Sequence, residues 1–214
     1  MELSATVRRR RMVRSFEDRP ITRDEVEAFL ELASHAPTAG NTRGTAWLVL
    51  AGRDETSLYW RHTTTADWRA QSSRWPGLSR APVVALCITS PRAYVDRYGE
   101  PDKRSSGLGP ADNGGGDEAA WPIPYWFGDA AFATMVLLLK VTDGGLGACF
   151  LGNFRGEAPL FEALGVPQEL RLFGAVVIGH ADGQDHRSRS LDRATGTPVV
   201  HWGRWGRNEP TDAS

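Results

Sequence analysis

Arginine is the residue whose placement in this chain most invites a chemical reading. Arg8, Arg9, Arg10, Arg11 and Arg14 crowd the start, Arg187, Arg189 and Arg193 crowd a segment near the end, and Lys103 and Lys140 are the only lysines. A guanidinium is a planar fork that grips phosphate oxygens two at a time, each charge-assisted bond being worth roughly 1.5–3 kcal/mol net. Three readings of the clusters are open. They are a solvated face, a nucleic-acid arm, or two halves of a phosphate clamp that the fold must bring together. The arm lacks aromatic residues interleaved with Arg8–Arg11 to stack on bases. Composition and spacing do not decide between the other two.

Most other chemistries are missing their signatures. No GxGxxG follows a strand, and there is no GxxxxGK[ST], GxSxG or HExxH. His35, His62, His180, His186 and His201 make no metal-ligand spacing, and Cys87 and Cys149 sit singly in apolar runs, as packed small hydrophobes do. A net charge of −1 over 214 residues gives no global attraction to nucleic acid or an anionic membrane. The opening MELSATVRRRR has no apolar signal core, and the longest apolar stretch, Ala130–Leu139, is too short to span a bilayer. A cytoplasmic protein is expected.

The elements that must position the arginines can be read from periodicity. Thr22 with Glu25 forms a capping-box pattern, and Ile21 with Val26 a hydrophobic staple. Val26, Phe29, Leu30 and Ala33 then recur at helical spacing, so a helix is expected from Arg23 to about His35, ended by the turn residues Pro37–Asn41. Ala46–Ala51, Pro82–Thr89, Gly147–Leu151 and Leu172–Gly179 read as strands buried on both faces. Asp129 to Asp143 reads as a helix capped by Asp129 and closed by Gly144-Gly145, apolar almost all round and therefore central. Glu157–Leu164 reads as a further helix. The mixed order predicts an α+β fold with a central mixed or antiparallel sheet flanked by helices, in one domain over residues 1–207 with a loose tail at 208–214. The polar tract Arg104–Ala120 is bordered by Tyr94, Tyr98 and Trp121–Phe127. It reads as a mobile lid, with Tyr125, Trp126 and Phe127 shaping a substrate pocket, or else those aromatics are ordinary packing.

Four blocks, in order, resemble a known family. Arg10-Arg11-Met12-Val13-Arg14-Ser15-Phe16 ahead of Pro20-Ile21 resembles the RRSxRxF opening of the FMN-dependent nitroreductases. Ala36-Pro37-Thr38-Ala39-Gly40-Asn41-Thr42-Arg43-Gly44 is similar to their APSxGNxQ(P/G)W segment. Gly144 through Phe154 resembles their GLGxxWxGxF strand and turn, and Arg187-Ser188-Arg189-Ser190-Leu191 with Val199-Val200-His201 their closing (K/R)xRxPL…VH. The resemblance implies a nitroreductase-like fold, a domain-swapped homodimer and an FMN at each subunit interface. Carried over by position, it assigns Arg10, Arg11, Met12, Arg14, Arg187 and Arg189 to the phosphate and ribityl end. Pro37, Thr38, Asn41 and Arg43 fall beside the ribityl chain and pyrimidine ring, and Leu151, Gly152 and Asn153 beside flavin N5 and O4.

The resemblance further implies a ping-pong oxidoreductase in which NADPH or NADH delivers hydride to flavin N5, leaves, and is replaced by a nitroaromatic, quinone or similar flat acceptor. No side-chain acid or base is required, so no catalytic residue is assigned. Flavin chemistry without nicotinamide (fragmentation, dehalogenation or azoline oxidation), a non-catalytic flavin store, and a deazaflavin in place of FMN are the alternatives. Departures from the pattern fall at Met12 for Ser, Arg43 for Gln, Thr45 for Trp and Asn153 for Gly.

Overall fold

A computed structural model describes residues 2–71, 76–110, 118–184 and 200–206. The N-terminal arginines begin in a helix: α1 (Leu3–Arg9) is capped by the Glu2 carboxylate and ends with Arg8 and Arg9 in its last turn. Cations there face the negative end of the helix dipole. α2 (Arg23–Ala33) has the expected capping box, with Thr22 and Glu25 each bonded to the other's backbone, and buries Val26, Phe29 and Ala33.

β1 (Thr45–Ala51) leads into α3 (Gly52–Thr63) and α4 (Ala66–Gln71). β2 (Val83–Thr89) is followed by α5 (Pro91–Tyr98), α6 (Tyr125–Asp143), β3 (Gly147–Leu151), α7 (Glu157–Leu164) and β4 (Arg171–Gly179). The strands form one antiparallel sheet in the order β1-β2-β4-β3, with Val83 opposite both Ala51 and Ile178, and Gly147 opposite Gly179. One face packs on α3 and α7 through Leu86, Val177, Tyr59, Leu160 and Phe161, and the other on α2 and α6 through Val83, Val176, Phe29, Leu137 and Val141.

Three expectations are corrected. Burial on both faces holds for every residue of β2 but fails for β1, where Ala46 and Ala51 are exposed, because β1 is an edge strand. Asp129 does not cap the long helix. α6 starts four residues earlier, with Pro124 at its N-cap, and Asp129 lies within the helix, 3% exposed. Nor is α6 enclosed all round within the chain, for Phe132 is 54% exposed and Met135 is exposed beside it.

Candidate functional site

The N-terminal arginine segment is held against the sheet. Met12 bridges Ala148 in parallel, the Val13 N–H donates to the Ala148 carbonyl (2.9 Å), and the Phe150 N–H donates to Met12 Sδ (3.4 Å). The thioether thus accepts from the free edge of β3, at the position where a hydroxyl is expected. Gly147 is needed there, since a Cβ would come within 2.9 Å of the Val13 methyls. Farther along, the Glu17 N–H donates to His180 O (2.8 Å), and Ser15 Oγ donates to Asp182 (2.7 Å), which also pairs with Arg80 (2.6 Å). Arg10 is half-buried at the end of α1 and Arg11 is exposed; neither pairs with a carboxylate among the described residues. Arg14 Nη1 donates to Met12 O (3.1 Å).

β3 runs out into Leu151, Gly152 and Asn153. Asn153 Nδ2 is buried and has no hydrogen-bond partner among the described residues, while Phe154 beside it is 95% exposed. A buried amide donor left unpaired costs about 1–3 kcal/mol, which an acceptor brought to this turn would recover.

Across the sheet, Ala36–Gly44 forms a tight loop ahead of β1. Gly40 (φ 65°) and Asn41 (φ 55°) are both left-handed, and Asn41 is the sole non-glycine residue with positive φ among those described. Such a conformation persists only where its surroundings fix it. Here the Ala39 N–H donates to Asp129 Oδ2 (2.8 Å), which also accepts the Tyr94 hydroxyl (2.8 Å). The Gly44 carbonyl accepts from the Ser90 N–H (2.8 Å) and Thr89 Oγ1 (3.1 Å). Burial, with the Asp129 carboxylate beside it, pushes the Tyr94 phenol well above its ordinary range, so it remains a donor at neutral pH. Thr38, Asn41 and Arg43 line a cavity of about 430 Å3 with Trp47, Asp129 and Ala133, a size suited to a small organic ligand. Pro37 is exposed at its margin.

The expected site residues therefore fall into two groups. Met12, Arg14, Leu151, Gly152 and Asn153 gather at the β3 edge, and Thr38, Asn41 and Arg43 at the β1 edge. Three strand spacings, roughly 14 Å, separate the two edges within one chain. Arg187 and Arg189 lie outside the described residues. Of the pocket aromatics, Trp126 is buried against Tyr94 and Trp121, Phe127 is half-buried and faces Phe173 across 6.3 Å, and Tyr125 alone is exposed. Trp126 is thus a packing residue, because its ring closes the cluster of Tyr94, Val95 and Trp121. Sequence reading missed Asp129 as the support of the Ala36–Gly44 loop. Its signal was an acid inside an apolar run, which was assigned to the helix terminus. Among the described residues, no cluster of three His, Cys, Asp or Glu side chains could hold a metal, and no helix is long and apolar enough to cross a membrane.

The model of the nitroreductase family matches residues 7–180, from the arginine segment to the end of β4. The chain belongs to the nitroreductase family. A relative from Archaeoglobus fulgidus, whose name joins NADH dehydrogenase with NAD(P)H nitroreductase, is 26% identical over 174 residues, 80% of each chain. Among solved structures, a nitroreductase family protein of Clostridium novyi NT superposes with a TM-score of 0.64 at 19% identity over 97% of both chains. A nitroreductase-like protein of Desulfovibrio desulfuricans, solved with FMN, superposes with 0.62 at 21% identity, covering 94% of this chain and 99% of that one. An iodotyrosine deiodinase bound to FMN and 3-iodo-L-tyrosine reaches 0.65 at 16% identity, covering 95% and 100%. At these identities the likeness is one of fold, and the α+β sandwich with its antiparallel sheet is the nitroreductase fold.

Proposed function

We propose that this nitroreductase-family chain is an FMN-dependent oxidoreductase that takes reducing equivalents from NADPH or NADH and passes them to a nitroaromatic, quinone or similar flat acceptor. When bound, FMN supplies the two-electron chemistry, accepting hydride from the nicotinamide and delivering it to the acceptor. The observation that carries this reading is Asn153 Nδ2, a buried donor without an acceptor among the described residues, in the turn where the family resemblance puts the flavin edge. A flavin carbonyl or ring nitrogen is the acceptor such an amide needs. Gly152 beside it has no side chain to hold a planar ring away from the backbone.

The remaining chain residues bind and orient. Arg10 and Arg11, which pair with no carboxylate among the described residues, hold the phosphate together with Arg187 and Arg189, while Arg14 and Met12 fix the segment that carries the first pair. Thr38, Asn41 and Arg43 face the ribityl and pyrimidine portion from the loop at the other edge. Because the two groups sit at opposite edges of one sheet, the site is completed by a second copy: the turn of one protomer meets the loop of its partner. The exposed apolar residues of α1, α2 and α6, Leu3, Val7, Leu32, Phe132 and Met135, supply a face for that homodimer.

The test is direct. Purified protein should carry a flavin spectrum with extractable FMN, and anaerobic NADPH or NADH should bleach it. Protein that is colourless and cannot be reconstituted with FMN overturns the reading. Bound flavin that neither nicotinamide reduces reassigns the chain to nicotinamide-independent chemistry or flavin storage.

A further inference from the structure

The guanidinium of Arg97, at the end of α5, joins two parts of the molecule that the proposed reaction does not otherwise connect. Its Nε donates to the Gly40 carbonyl (2.8 Å), in the left-handed pair Gly40–Asn41. Its Nη1 and Nη2 form a bidentate bridge to Asp102 (2.7 and 2.8 Å), and Nη1 also reaches Glu100 (2.9 Å). The Arg97 side chain is only 21% exposed, whereas Asp102 is 59% exposed on the segment that leaves α5. A planar fork bound at both ends has its orientation fixed, and with it the direction of the Nε–H.

A second contact meets the same point. The Tyr98 ring lies against Gly40, where a Cβ would come within 2.8 Å of it. Trp121 packs on that ring at 4.7 Å between centroids and on Tyr94 at 6.1 Å. Tyr94 in turn fills the space beside Gly44, where a Cβ would come within 2.3 Å. Trp121 is itself seated by its indole N–H on the Leu108 carbonyl (3.1 Å). Both ends of the Gly40–Gly44 stretch therefore rest on side chains that pack on Trp121, and the Gly40 end is held as well by Arg97 with its Asp102 partner.

We infer that Arg97 is a positioning residue for the flavin-facing loop, and that Asp102 orients it, so that an ion pair outside the site sets the geometry of Gly40 and Asn41. This rests on the flavin reading for its consequence, since a displaced Asn41 and Thr38 would meet the cofactor poorly. The coupling itself is a property of the chain. Asp102 is the exposed member of the pair, so removing its carboxylate should cost little global stability and act on the loop more than on folding.

The test compares Asp102→Ala, Asp102→Glu, Arg97→Ala and the double alanine variant. Two quantities are read: the Kd of FMN, and amide exchange at Asn41 and Thr42, whose N–H groups bond Thr38 O and Ala39 O. Asp102→Ala should speed exchange at both amides and raise the Kd roughly three- to ten-fold, at a nearly unchanged melting temperature. Asp102→Glu should restore much of both, and the double variant should be no worse than Arg97→Ala alone. Unchanged exchange in Asp102→Ala, or effects that simply add in the double variant, would overturn the inference. If the parent protein binds no FMN, exchange in the apoprotein still decides this point, and that result counts against the flavin reading alone.

Discussion

At the scale of single residues, two side chains carry most of what is testable. Arg10 stands at the end of α1 and pairs with no carboxylate among the described residues, which leaves its donors available to a phosphate. Arg10→Ala should weaken FMN binding by about 10- to 100-fold, the equivalent of one charge-assisted contact, with the fold retained. Fluorescence quenching on titration with FMN measures this, and an unchanged Kd would place the phosphate elsewhere. Asp129 acts differently, because both of its partners belong to the protein. Asp129→Ala strands the Ala39 N–H and the Tyr94 hydroxyl together in a buried setting. A loss of about 2–4 kcal/mol in urea-unfolding stability is expected, with Tyr94→Phe costing only about 1 kcal/mol because the carboxylate keeps its backbone donor. Equal costs for the two variants would mean that the Ala39 bond carries none of the stability.

At the scale of elements, the N-terminal segment is fastened to the exit of β4 by Ser15, Arg80 and Asp182. Burial opposes ionisation of Asp182, yet the Ser15 hydroxyl, the Gln184 N–H and the Arg80 guanidinium hold its carboxyl below the ordinary range. A depressed folded value means that the stabilisation is complete above the unfolded value of about 3.9 and is lost as pH falls through the folded one. Thermal melts from pH 5 downward should therefore show a falling stability below about pH 4 that Asp182→Asn flattens. A parallel slope in the variant would assign acid sensitivity to other carboxylates. The same element level shows what the sequence could and could not convey. The α2 capping box, β3 and α7 are legible because local chemistry dictates them, and they lie where the residues say. The start of α6 is not, because a carboxylate in the sequence does not declare whether it caps its own helix or another segment's N–H. The half-open state of β1 is illegible for a related reason, since edge position belongs to the topology. The family motifs point to the loop residues Thr38, Asn41 and Arg43. The supports Arg97, Tyr94 and Asp129 lie 50 to 90 residues away in sequence, and nothing local to them names that loop as their partner.

At the scale of the whole molecule, the question is what covers the surface that one chain leaves bare. α6 is apolar round most of its circumference; its outward side presents Phe132 and Met135, while Leu3 of α1 and Leu32 of α2 meet it at Val136 and Leu139. Several large side chains exposed on neighbouring helices form the kind of patch that marks an interface. Phe154, just after β3, and Trp205, 91% exposed, add further bare aromatics. A homodimer built on the helical face would bury these residues and bring each β3 turn toward the partner's Ala36–Gly44 loop. Oligomerisation and flavin binding would then be linked, because each completes the other's site. Phe132→Asp places a charge in that contact and should convert the dimer to monomer in sedimentation equilibrium. FMN occupancy should fall with it, although the substitution touches neither the arginine segment nor Asn153. A variant that becomes monomeric but keeps full flavin affinity would show that one chain completes the site alone. A variant that remains dimeric would move the interface away from α6.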